Sequence, residues 1–315
     1  MEKVRPNIKK LLAVITIFVL GVAFVAARVE SSEKKIVLKK YPDLKIGFTT
    51  QNFLKALPVS LENSQKLIDF ASDQGFVWIE LRDPSAALTL DECKQIAAYA
   101  RGKKIEVSYA LQIGLLDPSF WEIFSRGLAN AVCFDGPKTI RTLACGPEFF
   151  TNPSKKAWTL NELYKVVEAA NQAANMAKTV GIQYVAENAL EVIKGDGMTS
   201  FGATEFFANV NTNVGWQFDT ANFFSGARVR TQPEDARAFL EKFIGKMAYI
   251  HLKTSSKEHE TLPFLAENEL DFDIIFALMA THKIRYVAIE LAQEATLEAG
   301  YNNHKKSVEY LLKNY

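Results

Sequence analysis

Four residues that could bind a metal ion follow four successive apolar runs in the second half of the chain. Each run is short and rich in Val, Ile, Tyr, Phe or Ala, and these residues lie where the runs stop: Glu187, Asp219, His251 and Glu290. One acidic residue at a strand end is usually a helix cap or a solvated loop residue. Three carboxylates and an imidazole at four successive ends instead suit a single Mn²⁺, Mg²⁺, Co²⁺ or Zn²⁺ ion.

Eight apolar runs along the chain have the length and composition of β-strands. The predicted strands are Lys45–Thr49, Phe76–Leu81, Glu106–Leu111, Thr139–Cys145, Gln183–Glu187, Gly215–Asp219, Met247–Leu252 and Tyr286–Leu291. Helical patterns fill the gaps between them, at Asn63–Asp73, Asp91–Arg101, Leu160–Val180 and Ile274–Ala280. Such alternation forms either a closed (β/α)8 TIM barrel or an open doubly wound sheet. Near-even spacing, and no GxGxxG motif after the first run, favour the barrel, an α/β fold whose sites lie at the C-terminal strand ends.

The N-terminal segment differs from the rest of the chain. It has a basic start, and residues 11–27 that follow carry no charge. These features and a small-residue end are typical of a secretory signal peptide, while the length also suits a short membrane anchor. We predict a signal peptide or membrane anchor over residues 1–28, a polar linker over 29–44 and one barrel domain over 45–315. Both alternatives place the barrel outside the cytoplasm, in the periplasm or the extracellular space, or anchored to the membrane by residues 11–27.

Charge and cysteine content restrict the partners. The formal net charge of +1 provides no field that would attract nucleic acid, and we expect membrane contact only through the N-terminal segment. Cys93, Cys133 and Cys145 are too few for a disulfide framework, and a Cys133–Cys145 disulfide stays open. The oligomeric state also stays open, with a homo-oligomer as one alternative.

The motifs around the four candidate ligands resemble those of the xylose isomerase-like TIM barrels, specifically the sugar phosphate isomerase/epimerase family. The motifs are EN at 187–188, FDTAN at 218–222, HLK at 251–253 and IEL at 289–291. The resemblance extends over roughly residues 45–315 and implies that all four candidates bind one divalent ion. It also implies that Glu187 and Glu290 face opposite sides of a sugar or keto-polyol substrate. One glutamate would remove the proton next to the carbonyl, giving a metal-stabilised enediolate, and the other would return it.

Further residues are assigned to substrate binding. Asn222 stands where the family has His or Asn, and Asn188 belongs to the EN motif. Lys253 either holds a substrate oxygen or pairs with a ligand carboxylate. Glu80 and Arg82, at the end of the second predicted strand, either line the pocket or form an ion pair at its rim.

Three departures from the family pattern keep other functions open. Thr254 follows the HLK motif where the family often has Asp, the third strand ends without a His, and Ala266-Glu267-Asn268 replaces Gly-Glu-Gly. A non-catalytic or degenerate sugar-binding barrel is therefore one alternative, and a keto-polyol dehydratase of the same family is another. A multi-metal endonuclease is disfavoured, because the chain has only four His and a nearly neutral charge.

Overall fold

The computed structural model describes residues 35–144, 157–187, 192–195, 198–224, 236–254, 261–266 and 272–315. The predicted signal or anchor segment lies outside these residues. Within the described ranges, no helix combines the length and the apolar character that crossing a membrane requires. Cys93 and Cys133 are free thiols, and Cys145 lies outside the described part of the chain.

The described residues form a closed barrel of eight parallel strands, which confirms the predicted (β/α)8 architecture. The strands in the described part of the chain, in order, are β1 (Lys45–Thr49), β2 (Trp78–Arg82), β3 (Glu106–Gly114), β4 (Thr139–Leu143), β5 (Ala157–Trp158), β6 (Gln183–Glu187), β7 (Val192–Gly195), β8 (Met198–Phe201), β9 (Gly215–Asp219), β10 (Met247–Leu252) and β11 (Tyr286–Ile289). The barrel closes in the order β1-β11-β10-β9-β6-β4-β3-β2, and β5, β7 and β8 form a separate three-stranded sheet.

Helices connect the barrel strands and cover their outer faces. They are α1 (Leu61–Gln74), α2 (Leu90–Gly102), α3 (Phe120–Ala131), α4 (Leu160–Thr179), α5 (Gly202–Asn209), α6 (Thr220–Phe224), α7 (Ala236–Phe243), α8 (Phe272–Thr281) and α9 (Leu297–Asn314). The N-terminus of α4 has a capping box, in which Thr159 and Glu162 exchange side-chain and backbone hydrogen bonds. Just before β1, Ile36 and Leu38 are buried, and the Ile36 N–H donates to the Gly75 carbonyl over 2.9 Å, so this stretch packs on the barrel.

The inside of the barrel is a small apolar layer, separate from the main core between strands and helices. Its members are Trp78, Val185, Tyr249 and Ala288. Side chains two positions apart on a strand point to the same face. On these four strands, the next inward residues are therefore Glu80, Glu187, His251 and Glu290, respectively. We call the apolar layer the floor. Glu80, Glu187, His251 and Glu290 form the charged layer directly above it.

Gly47 on β1 makes room for this floor. A Cβ atom at Gly47 would lie 2.3 Å from the Trp78 carbonyl oxygen and 2.5 Å from its indole ring. The indole Nε1–H donates to the Lys45 carbonyl over 2.8 Å, which holds the ring in place. Glycine at this position therefore allows the largest side chain of the floor to lie inside the barrel.

We expect Gly47→Ala to lower the free energy of unfolding by about 1–3 kcal/mol, because the added methyl group overpacks the floor. Urea unfolding followed by circular dichroism measures this change. Gly102→Ala is the matched control, since a Cβ atom there meets no atom within 4 Å. Equal stability of the two variants would contradict the described packing of Trp78.

Candidate active site

Three of the four predicted ligands converge at the C-terminal end of the barrel. Glu187 and Asp219 end β6 and β9, and His251 is the penultimate residue of β10. One ligand atom of each residue lies within 4.8 Å of those of the other two, and all three side chains are buried. Neighbouring parallel strands produce this convergence, because β9 pairs with both β6 and β10 and places Asp219 opposite His251.

Glu290, the fourth predicted ligand, follows β11. Of the three converging residues, it contacts His251. Its Oε2 lies 2.6 Å from His251 Nδ1, while His251 Nε2 lies 2.8 Å from Glu80 Oε2. Burial favours the neutral imidazole, but the negative charges of Glu80 and Glu290 outweigh it and raise the pKa of His251. The imidazole thus lies between two carboxylates.

The contact between His251 and Glu290 indicates what kind of ion or ligand these residues could bind. Both Nδ1 and Oε2 are buried and, among the described residues, neither has a partner with hydrogen-bond geometry. If a neutral imidazole donates its Nε2 proton to Glu80, Nδ1 and Glu290 Oε2 both present lone pairs, and a cation bound to both would stabilise them. A carboxylate on the far nitrogen, as Glu80 provides, is the usual support of a metal-binding histidine. The donor set of Glu187, Asp219, His251 and Glu290 therefore fits a divalent metal ion.

Glu80 supports the site from inside the barrel. Its Oε1 accepts from Thr49 Oγ1 over 2.8 Å and from Arg82 Nη2 over 2.9 Å, and its Oε2 accepts from Tyr249 OH over 2.6 Å. Burial would raise the pKa of Glu80, but the charges of His251 and Arg82 hold it well below its usual range. Glu80 is fully buried, and its Oε2 lies 2.8 Å from His251 Nε2, so it holds the imidazole in position.

Arg141 on β4 is the partner of Glu187. Its Nη2 contacts Glu187 Oε2, its Nη1 donates to the Leu111 carbonyl over 2.9 Å, and its Nε lies 3.4 Å from Gln217 Oε1. Burial and the nearby charge of Arg82 lower the pKa of Arg141 to about 10, which leaves the guanidinium protonated at neutral pH. A buried cation therefore holds one oxygen of a predicted metal ligand.

Lys253 pairs with two other predicted ligands. Its Nζ lies 3.0 Å from Glu290 Oε1 and 3.4 Å from Asp219 Oδ2. Burial would lower the pKa of Lys253, but the charges of Asp219 and Glu290 raise it. Thr220 fixes the Lys253 backbone, because its Oγ1 donates to the Lys253 carbonyl and accepts from its N–H.

Asn222 orients two carboxylates from the start of α6. Its backbone N–H donates to Asp219 Oδ1 and its Nδ2 donates to Glu187 Oε1, each over 2.8 Å. The side chain is half-buried, so it lies at the edge of the site. Asn188, predicted to bind substrate beside it, lies outside the described residues.

Asn52 and His304 hold the backbone on both sides of Glu290. Asn52 Nδ2 donates to the Ile289 carbonyl over 3.0 Å, and Asn52 Oδ1 accepts from the Leu291 N–H over 2.9 Å. The same Nδ2 lies 2.9 Å from His304 Nε2, and His304 Nδ1 lies 2.8 Å from the Gly300 carbonyl. The pattern requires a neutral His304 with its proton on Nδ1. The amide of Asn52 thereby positions Glu290.

Sequence reasoning did not find the roles of Arg141, Asn52 and His304. Arg141 carried a signal, because a charged residue stands in the middle of an apolar run at an inward-pointing position. No sequence signal pointed to Asn52 or His304. The two residues lie near opposite ends of the chain and meet only when α9 packs beside β1.

No family model matches the chain, and no curated protein matches it by sequence. Among solved structures, a sugar phosphate isomerase/epimerase from Parabacteroides distasonis matches with a TM-score of 0.65 at 14% identity, covering 91% of this chain and 96% of that one.

Two further structures share the fold. D-allulose 3-epimerase from Methylomonas sp. in complex with D-allulose gives a TM-score of 0.62 at 14% identity, covering 86% of this chain and 97% of that one. A xylose isomerase-like TIM barrel protein from Mycobacterium smegmatis in complex with magnesium gives a TM-score of 0.61 at 16% identity, covering 86% of this chain and 97% of that one. The chain therefore has the fold of the xylose isomerase-like TIM barrels, as the motifs indicated.

Stability should fall as the pH falls from 6.5 to 4 because of His304. Burial lowers the pKa of His304 from 6.5 to about 4, so in this range the unfolded chain binds a proton that the folded chain does not. This group alone should remove about 3 kcal/mol of the free energy of unfolding across the range. Urea unfolding at several pH values measures the loss.

The variant His304→Gln keeps an acceptor for Asn52 without a titrating group. We expect it to be less stable than the wild type at neutral pH, with a shallower dependence between pH 6.5 and 4. An unchanged pH dependence would show that His304 is not held neutral.

Proposed function

We propose that this protein is a metal-dependent sugar isomerase or epimerase that moves a proton next to a carbonyl group. The observation that supports it best is the 2.6 Å contact between two buried atoms without hydrogen-bond geometry, His251 Nδ1 and Glu290 Oε2, beside Glu187 and Asp219. These are the atoms through which the residues would hold the ion. When bound, a divalent ion supplies a Lewis acid that polarises a carbonyl and acidifies the neighbouring C–H bond.

Glu187 and Glu290 are the proposed acid–base pair. They reach the mouth from β6 and β11, which lie three positions apart around the barrel with β9 and β10 between them. Burial would raise the pKa of Glu290, but the charges of Lys253 and His251 hold it well below its usual range. Glu290 is therefore a carboxylate at neutral pH, able to accept a proton. A pair separated in this way can remove a proton on one side of a substrate and return it on the other.

The structures with the same fold support a sugar ligand and a metal. One carries D-allulose and another carries magnesium. The rim side chains agree with a small polar substrate, because Asn222 and Lys253 bring hydrogen-bond donors to the edge of the site. Export to the periplasm or the extracellular space, through the N-terminal segment, is part of the same proposal.

A non-catalytic sugar-binding barrel is the second candidate, and a specific observation favours it. Arg141 contacts Glu187, and Lys253 lies near both Asp219 and Glu290, so protein cations already neutralise part of the ligand set. In that alternative these cations would take the place of the metal ion. Metal binding and proton exchange separate the two candidates.

Metal binding should depend on Asp219. We expect the full-length protein to bind one Mn²⁺ per chain, and Asp219→Asn to weaken that binding at least tenfold, because a charged ligand is lost. Electron paramagnetic resonance of free Mn²⁺ during a titration measures the affinity. Asp135→Asn, at an exposed ion pair with Arg101, is the control. Undiminished affinity in Asp219→Asn would remove Asp219 from the ligand set.

Turnover should appear as exchange of a substrate's α-proton with deuterated water. Proton NMR across a panel of ketoses, keto-sugars and inososes detects the exchange in the Mn²⁺-loaded protein. Glu290→Gln should abolish it while the circular dichroism spectrum stays unchanged, because glutamine keeps the size of the side chain and Lys253 keeps Asp219 as a partner. The exposed Glu298→Gln is the control. A metal-loaded protein that exchanges no proton of any member would favour the non-catalytic barrel.

A further inference from the structure

The N-terminal ends of the barrel strands form the face opposite the candidate active site. The barrel strands are parallel, so the connections that enter them meet at one end of the barrel, while Glu187, Asp219 and His251 lie at the other. The connections from a helix to the next barrel strand lie in the described part of the chain, at 75–77, 103–105, 132–138, 180–182, 210–214, 244–246 and 282–285. We define the basal face as these connections, the last turn of the helix before each of them, and the last turn of α9.

The basal face is strongly basic. Its ten Lys and Arg residues are Arg101, Lys103, Lys104, Lys138, Lys178, Lys242, Lys246, Lys283, Arg285 and Lys313. Its three Asp and Glu residues are Asp73, Asp135 and Glu241. All thirteen side chains are exposed except that of Lys246, which is half-buried. The whole chain has a formal net charge of only +1, so this excess of seven positive side chains is local to the basal face.

Ion pairs take up only part of this charge. Arg101 lies 3.0 Å from Asp135, and Lys103 lies 2.6 Å from Asp69 of α1. Both are surface pairs, which contribute little and are screened by salt. Lys178, Lys283 and Lys313, at the ends of α4, α8 and α9, have no carboxylate within 4.0 Å among the described residues. The face therefore keeps basic side chains that can bind an external anion.

Local structure explains only some of these basic residues. A cation in the last turn of a helix stabilises the helix dipole, which accounts for the four that lie in such a turn. The other six lie beyond the helix ends, in the connections. Two of these six, Lys104 and Lys283, have a φ of 58°, where Gly or Asn is the preferred residue. The backbone does not call for lysine at these two positions, so surface charge is what lysine contributes there.

Apolar side chains lie exposed among the basic ones. Val132 and Val180 come directly after α3 and α4, Leu312 lies in the last turn of α9, and the three are 46%, 45% and 49% exposed. Lysines beside exposed apolar side chains suit a membrane surface, because the apolar groups enter the headgroup region while the lysines reach the lipid phosphates. Phosphate contacts to nucleic acid use polar and charged groups and gain nothing from aliphatic side chains. The composition of the face therefore favours a membrane over nucleic acid.

We propose that the basal face docks on an anionic membrane surface. Clustered Lys and Arg side chains are attracted to anionic lipid headgroups within about a Debye length. The chain also reaches β1 along this face, because residues 35–44 precede β1 and the Ile36 N–H donates to the carbonyl of Gly75 in the connection to β2. The uncharged residues 11–27 come shortly before this stretch in the sequence. Docking in this orientation turns the candidate active site away from the membrane, and it does not depend on the reaction proposed there.

Lysine acetylation in the presence of vesicles tests the docking residue by residue. The full-length protein is mixed with vesicles of phosphatidylcholine, either alone or with phosphatidylglycerol, and acetylated with an N-hydroxysuccinimide ester before mass spectrometry. We expect the anionic vesicles to slow acetylation of Lys178, Lys283 and Lys313 at least about threefold relative to the neutral vesicles, because the headgroups cover these amines. Lys66 and Lys94, in the first halves of α1 and α2, are the controls and should react equally with both vesicles. Added salt should remove the protection.

The comparison of the two vesicles isolates the basal face, because insertion of the uncharged residues 11–27 does not require anionic lipid. Equal acetylation of the three basal lysines with both vesicles would overturn the proposal. Slowing of Lys66 and Lys94 by the same factor would also overturn it, since the protein would then have no preferred orientation. Protection by single-stranded DNA, without protection by anionic vesicles, would replace the membrane with nucleic acid.

A triple variant identifies the charges responsible. Lys178→Gln, Lys283→Gln and Lys313→Gln together remove three exposed charges from the basal face. We expect the protection of Lys242, a fourth lysine of the face, to fall at least about threefold in this variant, because the attraction to the surface weakens with each charge lost.

The matched control removes the same number of charges elsewhere, through Lys55→Gln, Lys66→Gln and Lys94→Gln, and should keep the protection of Lys242. Circular dichroism establishes that both variants are folded. Undiminished protection of Lys242 in the basal variant, or an equal loss in the control variant, would overturn the role of the basal face.

Discussion

The structure of the barrel mouth depends on one constraint, which is that four buried carboxylates must be matched by positive charge. Burying an ionised carboxylate without a partner costs several kcal/mol, more than most single interactions contribute to stability. Among the described residues, Arg82, Arg141 and Lys253 provide three positive charges and are themselves buried. Hydrogen bonds from Thr49, Tyr249 and Asn222 satisfy further carboxylate oxygens. His251 Nδ1 and Glu290 Oε2 lie 2.6 Å apart without hydrogen-bond geometry, and the proposed divalent ion would bind there.

Backbone geometry places this layer. Inward-facing residues alternate along each strand, so a floor that contains Trp78 and Tyr249 is followed two residues later by Glu80 and His251. Gly47 allows the indole of Trp78 to lie inside the barrel. At the other side of the mouth, the Asn52 amide holds the backbone around Glu290, and a neutral His304 supports that amide. Rigid supports of this kind keep catalytic groups in a productive arrangement.

Much of this architecture could be predicted from the sequence, because period-two apolar runs and helix caps are local signals. β1, β6, β9 and β10 have the predicted bounds, whereas β2 begins at Trp78 because Phe76 packs outward against Phe48. The convergence of Glu187, Asp219 and His251 followed from the rule that barrel sites lie at C-terminal strand ends. The contacts of Arg141 with Glu187 and of Asn52 with His304 could not be predicted, because their partners are 46 and 252 residues away in the chain.

The central claim is that a divalent ion binds to His251 among these carboxylates. Pulsed electron paramagnetic resonance of Mn²⁺ bound to the full-length protein tests it most directly, because a coordinated imidazole nitrogen gives a hyperfine coupling to the metal. We expect this nitrogen coupling in the wild type and its loss in His251→Gln. A wild-type spectrum without nitrogen coupling, or one that is unchanged in His251→Gln, would contradict the account.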